Sequence, residues 1–312
     1  MLILGGYSFV MDKKTFTKQA LTFEEQAKLL ITRKLDCESL DVLIKSLAHY
    51  NYYRLSGYCL AFEVERHKFY PKVSFSALTQ AYEFDRKLRK IVFEGLELIE
   101  IQLRTSIAYL LGTKYGPFSH EKLENLYFKN LDEYAQWILS IHQAANNSKE
   151  IFTRHFQNTY QEFPSLPIWV LVEILSFGAL SHLFSYLKNE DKIIIADSFG
   201  VNPTLFGSWL HSFSVLRNIC AHHSRLFDRT LSVSPKYIHR EDFVKFPNNR
   251  IIYSLITIRT ILRAKCFSEK SVISWKTEIE NLFRLPPPVP KFYEKVGAPL
   301  VQEEWLNDPL WK

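Results

Sequence analysis

The chain has 312 residues, 47% hydrophobic and 23% charged, with a formal charge of +6. That excludes wholesale disorder and allows a substantial core without staples. Its four cysteines (Cys37, Cys59, Cys220, Cys266) are scattered and form no CxxC pair, which excludes a disulfide scaffold and a cysteine zinc site and favours a reducing, cytoplasmic compartment.

Glycine is sparse, and no GxGxxG or GxxxxGK[ST] run occurs, so nucleotide-loop chemistry has no support. In chain order, the first residues are apolar but lack a basic leader and make a poor signal peptide. Met11 is an alternative start, and residues 1–20 read as an N-terminal extension. Thr22 and Glu25 form a capping box that opens a helix to about Lys34. A second helix is predicted from Ser39 to His49. The aromatic segment Asn51–Tyr58 follows, in which Arg54 serves RNA stacking and charge, or the tyrosines are packing residues. Residues 64–73 read as a short hairpin. These elements make an N-terminal helical subdomain, 21–75.

The next segment carries the longest periodic stripe: Leu88, Val92, Leu96, Ile99, Leu103, Ile107 and Leu110. It predicts a long helix over 77–111, ended by Gly112 and Gly116-Pro117. Two shorter helices are predicted near 130–145 and 148–162. Pro167 opens a helix over 167–188, which carries Glu173 and His182 and therefore reads as a core helix, not a membrane span. A short helix at 191–199 follows. Asn202-Pro203 caps and opens a helix over 203–224. Helices at 249–265 and 269–284 complete a helical domain, 76–285. A proline-broken tail, 286–312, carries Trp305 and Trp311 and is expected to dock on the body. The fold class is all-α.

Chemistry concentrates in the string Leu216–Leu226, LRNICAHHSRL. The core stripe of its helix is Leu205, Trp209, Phe213, Leu216 and Cys220. Arg217 lies off that stripe, beside Ser214, Ala221 and Ser224, and His222 shares a face with Asn218. On an ideal helix Arg217 and His222 point about 140° apart, so they meet one substrate only at the helix end or across an interface with a second copy. Histidine can take or give a proton near neutrality, and the arginine fork suits phosphate oxygens. Residues 217–250 hold seven Arg/Lys against three acids, including Arg225, Arg229 and Arg240, a local excess that attracts RNA or is simply a solvated basic face. His222-His223 has no third ligand at a metal spacing, so no metal is expected.

Each of these residues also has a purely architectural reading. Arg217 can be an ion-pair partner, for instance of Glu173, whose charge in an apolar helix needs Arg217 or Arg104 beside it. His223 continues the core stripe and reads as packing. Glu100 and Arg104 stand four apart and read as support for the motif arginine or as an ordinary helix pair. Asp85 and Arg89 read as an exposed pair.

The string Leu216–Arg229, LRNICAHHSRLFDR, resembles the signature of the Abi-like (AbiD/AbiF) abortive-infection family. The likeness extends to Leu21–Gln26, to Asn51–Tyr58, to Tyr82–Arg89 with Glu97, Glu100 and Arg104, to Pro167–Glu173 with Leu175–Gly178, and to the tail ending Trp305…Pro309-Leu-Trp311. Asp228 departs from it, standing where asparagine is expected. The family is placed in the HEPN superfamily, whose motif is Arg, four to six residues, then His; here Arg217, Asn218 and His222 match it. The resemblance implies a HEPN-like helical bundle and a metal-independent, cofactor-free endoribonuclease. It implies a homodimer acting in phage defence or as a toxin, with a small-RNA antitoxin for some members. In that reading Arg217, Asn218 and His222 are catalytic, and Glu173, Glu100, Arg104 and His223 are supporting. Arg225 and Arg229 bind RNA. A non-catalytic RNA-binding or protein-interaction module on the same fold is the alternative.

Overall fold

The computed structural model describes residues 15, 17–239, 241–264 and 266–312. The N-terminal extension through residue 14, with both candidate start methionines, and Arg240 lie outside the described residues. The described chain is all-α, and its one sheet is a two-stranded hairpin. It divides into two compact units, 1–76 and 77–312.

In the first unit, α1 (Phe23–Thr32) opens on a full capping box: the Thr22 hydroxyl accepts from the Glu25 amide, and the Glu25 carboxylate accepts from the Thr22 amide. That satisfies two of the donors a helix start leaves unpaired. Ser39 caps α2 (Leu40–His49), and Asn51 caps α3 (Tyr52–Cys59). α1 and α2 pack together, and Ala27, Leu30, Leu43 and Leu47 are buried. The hairpin pairs β1 (Glu63–Glu65) with β2 (Lys68–Phe69), shorter and earlier than expected, and His67 takes a positive φ in its turn. The aromatic segment divides: Tyr58 is buried, Tyr53 and Arg54 are exposed, and the Tyr52 hydroxyl accepts from Arg33 at 3.3 Å.

The second unit is organised by α4 (Phe75–Tyr115), a 41-residue helix. Leu88, Val92, Leu96, Ile99, Leu103 and Ile107 are all buried, and Leu111 continues the stripe in place of half-buried Leu110. Gly112 lies inside the helix under the Trp169 ring, and Gly116, at φ +88, ends it. α5 (Leu131–Asn147) is capped by Asn130, and α6 (Ile151–Thr159) follows.

The single helix expected over 167–188 is two: α7 (Ile168–Ile174) and α8 (Phe177–Tyr186). Leu175 turns extended, and the Ser176 hydroxyl restarts the chain by accepting from the Ala179 amide. An N-cap serine inside an apolar run is a local signal that hydropathy alone overrides. α9 (Asn189–Ser198) leads to α10 (Pro203–Ala221), capped by Asn202 with Pro203 in its first turn.

α8 packs on α10, whose buried stripe is Phe206, Trp209, Leu210, Phe213, Leu216 and Cys220; Leu205 is only half-buried. After the short α11 (Asp242–Lys245), α12 (Ile251–Leu262) is buried almost all round, as a helix with apolar residues on every face must be. α13 (Glu269–Arg284), α14 (Phe292–Val296) and the tail close the unit. Trp305 and Trp311 are fully buried, their rings 4.9 Å apart, and Trp305 meets Phe283 at 5.1 Å. Among the described residues no helix is long and apolar enough to cross a membrane.

Candidate active site

α10 ends at Ala221, and His222 is its C-cap, exposed to solvent with its amide on the Asn218 carbonyl at 3.0 Å. His223 follows at φ 53 and is also exposed. This corrects the packing role expected for His223: the helix stops two residues before it, so the core stripe never reaches it. Cys220 does lie on that stripe, and burial pushes its thiol up to about 12, so it is no thiolate nucleophile.

Arg217 is half-buried on the side of α10 that faces α4. Its Nε and Nη2 donate to the Glu100 carboxylate at 3.1–3.2 Å, and its Nη1 meets the Asn218 Oδ1 at a long 3.4 Å. Glu100 also accepts from Arg104, one turn along α4. Arg104 in turn donates to the carbonyls of Val172 and Leu175. Those carbonyls are released by the break between α7 and α8, since the last turn of a helix leaves its acceptors unpaired. A continuous relay therefore runs from the end of α7 through Arg104 and Glu100 to Arg217. Two arginines on one carboxylate fix the guanidinium plane that Arg217 presents.

Glu173 takes no part in this relay. It is exposed on α7, and both arginines expected to pair with it are held by Glu100. The apolar context misled because α7 is only seven residues long and one of its faces is open to water.

Asp85 and Arg89 form a buried pair, not the exposed one expected. Asp85 also accepts from the backbone amides of Leu226 and Phe227, at 3.2 and 2.6 Å, and so holds the loop behind His222. Arg225 and Arg229 brace the same loop: Arg225 donates to the Phe227 carbonyl and Arg229 to the Arg225 carbonyl, both at 3.2 Å. Asp228, at φ 52, sits among Arg225, Arg250 and Lys295 within 3.4–3.7 Å. Asp and Asn both tolerate the left-handed region, and the aspartate charge here has three cations to meet.

The basic excess of 217–250 is thus largely consumed internally, since Arg217, Arg225, Arg250 and Lys245 each pair with a carboxylate. Solvent-facing cations beside the motif come instead from α4. Arg86 and Lys90 are exposed there, next to the exposed ring of Phe93. The signal was present in the sequence as Arg86-Lys87-Leu88-Arg89-Lys90, a charge run of which Arg86, Lys87 and Lys90 are exposed while Leu88 and Arg89 are buried. Among the described residues no group of three or more His, Cys, Asp or Glu side chains is placed to hold a metal ion.

An all-α protein with an arginine fixed by a helix relay and a histidine at the end of the same helix is the class these features define. The family model of Abi-like proteins matches residues 45–228, more than half of the chain and all of the relay and motif. The chain belongs to the Abi-like protein family. No curated protein and no solved structure matches it significantly.

Proposed function

We propose that the protein is a metal-independent endoribonuclease of HEPN type, acting in the bacterial cytoplasm in abortive infection or as a toxin. The observation that carries this reading is the pairing of relay-held Arg217 with exposed His222 at one helix end, inside the family-matched segment. In the proposed reaction the 2′-oxygen of RNA attacks the adjacent phosphorus, its proton passing to a base. The bond to the 5′-oxygen breaks as that oxygen receives a proton, leaving a 2′,3′-cyclic phosphate and a 5′-hydroxyl. His222 serves one of these transfers. Arg217 keeps its Nη1 edge, beside Asn218, for the phosphorane charge. Asn218 orients that edge.

One histidine supplies one transfer, so we place a second copy of the chain opposite, the two α10 ends forming one cleft about a two-fold axis. A small restraining RNA would compete for that same cleft.

The test is incubation of purified protein with RNA in EDTA, followed by mapping of the ends. Cleavage giving 5′-hydroxyl ends, abolished in folded Arg217→Ala and His222→Ala proteins, is the expected result. Mixed Arg217→Ala and His222→Ala chains should recover partial activity. Cleavage undiminished in His222→Ala overturns the assignment, and binding without cleavage favours an RNA-binding module.

A further inference from the structure

Two cavities open on the face shared by α4 and α10, and Phe93 lines both. The smaller, about 240 Å³, holds Arg217, Glu100 and Arg104. The larger, about 560 Å³, is lined by Arg86, Arg89, Lys90, Phe93, Cys220, Ala221 and His223. Its residues Ala221 and His223 flank His222 in the chain. The ribonuclease reading uses the first cavity and leaves the second unassigned.

The second cavity has the size range of small-ligand pockets. Its wall is apolar, its rim is basic, and no carboxylate lines it among the described residues. Arg89 is a buried guanidinium, held in place by Asp85. Lys90 has no ion-pair partner among the described residues. Arg86 pairs with Glu83 at 2.7 Å, an exposed pair that a phosphate can replace at little cost. Phe93 offers an open ring at the boundary between the two cavities. An aromatic face with cations beside it matches a nucleobase and its backbone phosphate.

We propose that this cavity is the subsite for a nucleotide of single-stranded RNA next to the scissile phosphate. Its base stacks on Phe93, and its phosphate lies on Arg86 and Lys90. The proposal rests on the ribonuclease reading and adds to it where the substrate strand runs: across Phe93, from the Arg86–Lys90 rim to the Arg217 cavity. Base stacking is tolerant of sequence, so the subsite grips a strand without selecting a base. A duplex, whose bases are already stacked, cannot use it.

The experiment is fluorescence anisotropy of a labelled single-stranded RNA oligonucleotide on the full-length His222→Ala protein, which binds without cleaving. Adding Phe93→Ala should weaken binding at least about five-fold, the lower end of the effect of losing one stacked base. Phe93→Leu, which keeps the apolar volume and removes the ring face, should lose as much, and Phe93→Trp should restore affinity. The pair Arg86→Ala, Lys90→Ala should reduce the slope of log affinity against log salt by about 0.7, one phosphate contact on a single strand.

Unchanged affinity in the Phe93 and Arg86/Lys90 proteins, with the parent still binding, overturns the subsite and leaves the ribonuclease reading standing. Failure of the His222→Ala parent to bind RNA at all overturns both. Sedimentation of the same proteins separates the remaining occupant: a dimer lost in Phe93→Ala with RNA affinity intact gives this surface to a second copy and overturns the proposal.

Discussion

Glu100 is the residue on which the motif arginine depends. It accepts from Arg217 at 3.1–3.2 Å and from Arg104, and it is buried. Glu100→Gln keeps the shape and leaves two neighbouring guanidinium groups without their carboxylate. Removing one partner of a buried charge network costs about 3–5 kcal/mol. Because a quarter of the Arg217 side chain meets solvent, we expect a smaller loss here, about 2 kcal/mol. A lowered urea midpoint with an unchanged slope, together with slower RNA cleavage, checks this.

His120 is a second residue with a measurable consequence. Its ring is fully buried, and neither nitrogen has a hydrogen-bond partner. Glu121 stands 3.7 Å away but is engaged by His142 and Ser165. Burial pushes the His120 pKa down from 6.5 to about 3, with a smaller push from His142. The unfolded chain therefore takes up a proton below about pH 6.5 that the native chain refuses until about pH 3. This stability is whole above that window and falls as the pH drops through it. At pH 5 the loss is about 2 kcal/mol relative to pH 7. His120→Leu should flatten the acid limb of stability against pH, whatever its effect at neutrality. An acid limb unchanged by the substitution would show that another group is responsible.

At the scale of elements, α4 and α13 approach closely where α4 carries Gly95. The Trp275 indole donates to the Ile91 carbonyl at 2.8 Å, and a Cβ built on Gly95 would lie 2.5 Å from the indole nitrogen. Alanine improves helix propensity by about 1 kcal/mol. The overpacking costs about 1–3 kcal/mol and also disturbs the indole bond. The clash wins because Trp275 is fully buried and has nowhere to retreat. Gly95→Ala should destabilise by roughly 2 kcal/mol, read from tryptophan fluorescence in urea.

Helix starts and stripes were legible here, since Thr22, Ser39, Asn130 and Asn202 each sit at a cap and the α4 stripe is buried. The division of α7 from α8 was not, because its local signal, the Ser176 cap, sits inside an apolar run and the rest of its reason is remote. The Val172 and Leu175 carbonyls are freed to accept from Arg104, 68 and 71 positions away.

Across the whole molecule, the all-α class followed from local pattern and the motif from the family resemblance, whereas the architecture of the site followed from neither. The bonds that set it span long separations: Glu100 to Arg217 over 117 residues, and Ile91 to Trp275 over 184. No periodicity within one helix encodes which carboxylate a distant arginine will find. Glu173 and Glu100 were both available in sequence. Arg217 takes Glu100 because α10 presents it to α4, while Glu173 faces water.

The clamp of Asp85 on the Leu226 and Phe227 amides carries one more consequence, for the timescale on which that loop opens. Loop amides ordinarily exchange with solvent hydrogen through small local fluctuations. These two are anchored to a fully buried carboxylate 141 and 142 positions away. They can be released only when that part of α4 lets go of the loop. Their deuterium uptake should therefore track global unfolding, slowing as stability rises and matching the core helices, while the neighbouring amide of Thr230, in an exposed residue, exchanges quickly. In Asp85→Asn the two amides should exchange orders of magnitude faster than any core amide, so that the segment carrying His222 opens and closes while the rest of the protein stays shut.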